Sequence, residues 1–241
     1  MKIDMQKLSP MMQQYFAIKE KHKDHILFFR LGDFYEMFYD DAVLASRELE
    51  LTLTGRDCGQ EERAPMCGVP FHACETYIAR LIKKGYKVAI CEQMENPADA
   101  KGVVKRSVIR VVTPGTLIES NMLSEDANNY IACILFDQGW GLACADSSTG
   151  QLFVSQFAAD VNELGRYCPS EIIFNEGILD QTEVTAFIQK KLHCVADLCD
   201  NDRFDPQVAE DLIARHFSKP SGALGLDGRP LASRALGALL A

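Results

Sequence analysis

The pattern of the chain changes character at Pro114-Gly115, and that change limits the fold more than any other feature. Before it, segments with helical spacing alternate with strand-like runs. Ser9-Pro10 is a cap followed by a proline suited to the first helical position. A helix is therefore predicted from Pro10 to about Lys21, with Met11, Tyr15 and Ile18 on one face. A strand is predicted over 26–31 and a helix from Phe34 to about Leu49, with Phe38, Ala42, Ala45 and Leu49 as its apolar stripe. Residues 51–54 read as a strand, 55–63 as a polar turn or hairpin tip, and 64–71, with two prolines and a glycine, as a shaped loop. Residues 72–84 read as a helix stopped by Gly85 at C′. Residues 87–93 and 107–112 read as strands. Such alternation predicts a mixed α/β domain over residues 1–115.

Residues 116–128, TLIESNMLSEDAN, read as a linker. Three strands follow at 130–137, 140–146 and 151–157, joined by short turns at Gln138-Gly139 and at 147–150, which makes an antiparallel meander. Then come a helix (160–167), a strand (171–174), a helix (181–192), a strand (194–198), and helices at 206–217 and from Arg229 onward. Three antiparallel strands followed by αβαβα is the order of an RNase H-like domain, here 129–241. Topology of this kind does not by itself carry an activity. The last helix, RPLASRALGALLA, reaches Ala241 without a C-cap or polar tail, so the chain is expected to be cut from a longer protein.

No apolar run approaches the ~18 residues of a membrane span. The N-terminus, MKIDMQKLSPMMQQ, lacks the charged-then-apolar pattern of a signal peptide. The nine cysteines are scattered singly, with no C-x-x-C pair, and read as buried free thiols in the cytosol. Net charge is −9, unevenly spread. Residues 1–115 carry 17 Lys and Arg against 16 Asp and Glu, and residues 116–241 carry 8 against 18. The first part can lie against phosphates without large repulsion, whereas the second reads as facing protein. Neither has the basic balance of a protein that binds nucleic acid by charge alone.

The richest chemistry lies in ILFFRLGDFYEMFYDDA, residues 26–42. A strand-like run meets Gly32, Asp33 reads as an N-cap, and Glu36 completes the D-x-x-E form of a capping box. Phe34 would then stand in the first helical turn. It reads either as a core phenylalanine or as a wedge between base pairs. Unstacking a step costs roughly a few kcal/mol, and less where the pair is already mismatched. Glu36 reads either as the cap or as a base reader that accepts from a base N–H, or donates to the base if protonated. Arg56, Lys101, Lys105, Arg106 and Arg110 are candidate phosphate contacts, the last four in KGVVKRSVIR, the most basic window; a solvated strand end is the alternative. Met66 joins them as a candidate groove contact, and Arg30 reads as support for the aromatic turn.

No catalytic or metal-binding residue is assigned. Cys67, His72 and Cys74 have no standard zinc spacing, and His193-Cys194 with Cys199 is no better. Ser148 and the five histidines form no triad. An RNase H-like nuclease needs carboxylates converging on Mg²⁺. YIACILF carries none, and Asp146 reads either as one such carboxylate or, more in keeping with its neighbours, as the start of the turn at 147–150. The chain has no G-x-x-x-x-G-K-[ST].

LGDFYEMFYDDA closely resembles the mismatch-reading motif of the MutS family of DNA mismatch repair proteins, in its bacterial branch. SPMMQQY, APMCGVPFHA, KVAICEQ, RVVTPGT, NNYIACILFD and DSSTGQL extend the resemblance over essentially the whole chain. It implies a mismatch-binding domain over 1–115 and an RNase H-like connector domain without nuclease activity over 129–241. It implies that Phe34 stacks on the mispaired base from the minor groove and that Glu36 hydrogen-bonds to it. The implied partners are mismatched double-stranded DNA, MutL through the connector, and a second copy in the full-length homodimer; the fragment itself is expected to be monomeric. ATP and Mg²⁺ are implied for the full-length ATPase and no cofactor for this chain. A bacterial cytosolic location is implied, with no membrane. A metal-dependent nuclease and a pure protein-interaction module remain the competing readings.

Overall fold

The computed structural model describes residues 5, 7–96, 100, 102–118, 128–157, 161–192 and 194–241. The chain divides into two compact units, Met1–Thr113 and Pro114–Ala241.

Unit 1 runs α1 (Pro10–Lys19), β1 (His25–Leu31), β2 (Phe34–Phe38), α2 (Tyr39–Leu49), β3 (Thr54–Arg56), β4 (Ala64–Pro70), α3 (Cys74–Lys83), β5 (Lys87–Gln93) and β6 (Arg106–Val112). Its sheet has the order β3-β4-β2-β1-β5-β6. β1 and β5 are parallel, and the other neighbours are antiparallel. Four consecutive buried residues, Ile26 to Phe29, mark β1 as covered on both faces. On one face Leu27, Phe29, Phe38, Ala89 and Cys91 pack against Met12 and Tyr15 of α1. On the other, Cys67 Sγ reaches the Ala42 carbonyl of α2 at 3.5 Å.

Two elements differ from the sequence reading. The expected helix from Phe34 is a strand as far as Phe38, and helix begins only at Tyr39. Asp33 is therefore no N-cap but the second residue of a two-residue turn, with Leu31 paired to Phe34 across it. The expected loop 64–71 is β4, paired with β2 on one side and β3 on the other. Its prolines are tolerated by position. Pro65 precedes the first residue paired with β2, Met66, and Pro70 is the last residue of the strand. The strand expected at 51–54 is displaced to Thr54–Arg56.

Unit 2 runs β7 (Tyr130–Phe136), β8 (Trp140–Asp146), β9 (Gln151–Phe157), α4 (Val161–Tyr167), β10 (Glu171–Phe174), α5 (Thr182–Phe187, continued by a π turn Ile188–Leu192), β11 (Val195–Leu198), α6 (Pro206–Phe217) and α7 (Pro230–Leu240). The sheet order is β11-β10-β7-β8-β9. The β7–β9 meander is antiparallel, and β10 and β11 add in parallel. Strand alternation splits β7 between two cores, with Ala132 and Ile134 in one and Cys133 and Leu135 in the other. Asp205 caps α6, its Oδ1 accepting from Gln207 N at 2.8 Å and Val208 N at 3.0 Å. Among the described residues, no helix is long and apolar enough to cross a membrane.

Candidate nucleic-acid interface

The β1–β2 hairpin turns on Gly32-Asp33. Gly32 takes the first loop position with φ 56°, a conformation glycine adopts without steric cost. The turn places Phe34 at the start of β2 with 47% of its surface exposed. Strand alternation then puts Phe34, Glu36 and Phe38 on one face and Tyr35 and Met37 on the other. Glu36 thus shares the face of Phe34 two residues along, about 6.7 Å at strand rise, while Phe38 descends into the core below α1.

β4 forms the rest of this face, with Pro70 opposite Phe34, Gly68 opposite Glu36 and Met66 opposite Phe38. A Cβ on Gly68 would lie tightly against Tyr35 O, at 3.3 Å, and in ordinary contact with Glu36 Cγ, at 3.5 Å. Arg56, from β3, reaches Glu36 with Nη1–Oε2 at 2.6 Å.

The turn is clamped from the opposite face. Arg30 Nε donates to Gly32 O at 2.5 Å and Arg30 Nη1 to Glu92 Oε1 at 3.3 Å. The Arg30 guanidinium carbon sits 3.7 Å from the Phe71 ring centre. Tyr35 OH also donates to Glu92; burial, then that carboxylate, push the phenol well above its usual pKa. Phe71 N donates to Asp33 O at 2.9 Å. Arg30 therefore supports the aromatic turn, as its place in the sequence suggested. Glu92, Phe71 and Gly68 were not singled out from sequence, because their roles depend on strand pairing.

The other candidates separate. Met66 is half-buried on the Phe34 face. Lys105 is exposed beside the start of β6, and its N–H donates to Glu95 Oε1 at 2.7 Å. Arg106, expected at a phosphate, is 7% exposed instead. Its Nε donates to Arg30 O at 2.7 Å, and its Nη1 to Val104 O at 2.8 Å and Gln14 Oε1 at 3.1 Å. Burial pulls its pKa below the usual arginine value. It ties β6 to β1 and α1. A bulge between Ile90 and Cys91 reverses the alternation of β6, so Arg110 pairs with Ile90, itself opposite Phe28, on the face away from Phe34. Lys101 and His193 lie outside the described residues.

In unit 2 a cavity of about 420 Å³ opens where β7 and β10 end, and Asp137, Glu176 and Asp180 are among its lining residues. Asp137 there pairs with Arg234 at 2.6 Å. Asp146 Oδ1 accepts from Ser148 N at 2.9 Å and Ser148 Oγ at 2.6 Å, as a turn residue does. Among the described residues, no three His, Cys, Asp or Glu side chains are grouped to hold a metal ion.

The family model for MutS domain I matches residues 9–121, and that for MutS domain II matches residues 129–241. The chain belongs to the MutS family. The DNA mismatch repair protein MutS of Ruminiclostridium cellulolyticum is 50% identical over 240 residues, covering 97% of this chain and 27% of that protein. MutS of Caldicellulosiruptor bescii is 54% identical over 219 residues, covering 89% of this chain and 25% of its own length. MutS of Acetivibrio thermocellus is 50% identical over 220 residues, covering 88% and 25%. The chain thus spans about a quarter of the length of these MutS relatives.

Proposed function

We propose that this chain recognises mismatched or unpaired bases in duplex DNA during mismatch repair, with Phe34 as the wedge and Glu36 as the base acceptor. The observation that carries the reading is the exposure of Phe34, at 47%, on a hairpin clamped from behind and on the same face as a carboxylate. A ring held in this way can enter a weakened stacking step without rearranging its own support. Membership of the MutS family and names given to the relatives support the same reading.

The mismatch-binding domain is residues 1–115, and 129–241 form a connector, joined by the 116–128 linker. The connector meets MutL and relays DNA binding to an ATPase that uses ATP and Mg²⁺ elsewhere in the whole protein. This chain performs no catalytic step itself. The whole protein works as a homodimer in the bacterial cytosol, and the chain alone is monomeric. Met66 and Lys105 remain candidates for contact with the duplex, Arg110 is on the face away from Phe34, and Arg106 is held by Arg30, Val104 and Gln14 within the fold.

The test uses full-length MutS carrying this chain and compares a G·T duplex with its G·C counterpart in gel-shift titrations. Phe34→Ala should abolish most of the preference for G·T; an unchanged preference would sink the wedge. Glu36→Gln should alter the preference more than the affinity for G·C. Equal changes on both duplexes would remove Glu36 from base reading.

A further inference from the structure

Glu36 faces a problem that the wedge does not. A carboxylate carried toward DNA meets the phosphates unfavourably, and a glutamate has three rotatable bonds with which to turn away. The structure answers both points with one residue. Arg56 Nη1 lies 2.6 Å from Glu36 Oε2, the short range of a charge-assisted hydrogen bond. Among the described residues this is the one hydrogen bond the Glu36 carboxylate makes, so Oε1 is left open as an acceptor. Gly68 lies directly across the strand pair from Glu36. The Glu36 side chain is 15% exposed and that of Arg56 39%, so the pair sits at the surface with the carboxylate as its more enclosed member.

Resting on the mismatch-recognition reading, we infer that Arg56 is a positioning residue for Glu36 rather than a phosphate contact. It fixes one carboxylate oxygen, presents the other to the displaced base, and offsets the negative charge that the backbone would repel. An arginine committed in this way contributes to discrimination between duplexes and little to general affinity.

The two roles give different results in full-length MutS carrying this chain. For a positioning residue, Arg56→Gln lowers the G·T over G·C preference roughly tenfold, the size of one hydrogen bond to a charged group. The salt dependence of G·C binding keeps its slope. Arg56→Lys recovers part of the preference, because it keeps the charge and loses the planar fork. Arg56→Gln added to Glu36→Gln changes nothing further, since its effect passes through Glu36. Equal loss on both duplexes, with the log–log salt slope shallower by about 1, would make Arg56 a phosphate contact and overturn the inference. So would a full additional loss in the double variant. Phe34→Ala measured alongside separates the two levels. If it loses preference while Arg56→Gln does not, positioning fails and mismatch recognition stands. If neither variant loses preference, mismatch recognition fails with it.

Discussion

Phe34 and Phe38 lie on the same face of β2, four residues apart, yet one is 47% exposed and the other fully buried. Phe38 meets the Tyr15 ring edge-on at 5.2 Å beneath α1. Phe34, at the start of the strand, is absent from the core cluster that α1 covers. Their truncations should therefore differ sharply. Phe38→Ala should cost about 3–5 kcal/mol, the transfer term plus the cavity it leaves. Phe34→Ala should stay within about 0.5 kcal/mol, as for a surface side chain free of special roles in folding. Urea unfolding of both variants checks this, and similar losses for the two would make Phe34 a core residue. The sequence alone left Phe34 between wedge and core, because both readings place an aromatic beside a glycine turn. Arg106 was misjudged for a related reason. Its partners Arg30 O and Gln14 Oε1 lie 76 and 92 residues away, and no local pattern announces such a distant cradle.

The β1–β2 hairpin is the element on which the site depends, and Gly32 is its most constrained residue. A Cβ there would meet nothing within 4 Å, so the cost of substitution lies in the backbone alone. At φ 56° Gly32→Ala should lose about 1 kcal/mol, and Gly32→Asn less, because asparagine tolerates the left-handed region. Thermal unfolding of the two variants would show the order; an alanine as stable as glycine would contradict this turn. The hairpin was also the hardest element to read. Asp33 and Glu36 have the spacing of a capping box, and Phe38, Ala42, Ala45 and Leu49 carry a helical apolar stripe back into what is strand. β4 was hidden by its prolines, which sit where the β2 ladder does not need their N–H groups. By contrast β5, β8, β9, β10 and α6 were read with their observed bounds, because turns, prolines or a capping aspartate delimit them locally. The bulge that turns Arg110 away left no mark in RSVIRVV, since it is a property of the β5–β6 pairing.

At the scale of the whole molecule, the nine cysteines report on both units at once. None is in a disulfide; Cys58, Cys67, Cys91, Cys133 and Cys144 are buried, Cys74, Cys194 and Cys199 half-buried, and Cys168 exposed. Single cysteines in apolar runs foretold buried thiols, but which ones escape burial depends on how helices cover each sheet. Burial pushes Cys67, Cys91 and Cys144 up to about 12. A thiol with its pKa raised this far above ambient pH stays protonated, and the thiolate is the reactive form. At pH 8 its thiolate fraction is about one part in ten thousand, and reagent must also reach it through packed side chains. Iodoacetamide at pH 8 should therefore label Cys168 first in the native chain and the three half-buried thiols more slowly. The five buried thiols should react only as their own unit opens. Mass spectrometry along a urea series would then follow unit 1 through Cys58, Cys67 and Cys91, and unit 2 through Cys133 and Cys144. Native labelling of Cys67 or Cys91 as fast as Cys168 would mean that the unit 1 sheet is not closed on both faces. In that case the hairpin would lack the rigid backing that the proposed wedge role of Phe34 requires.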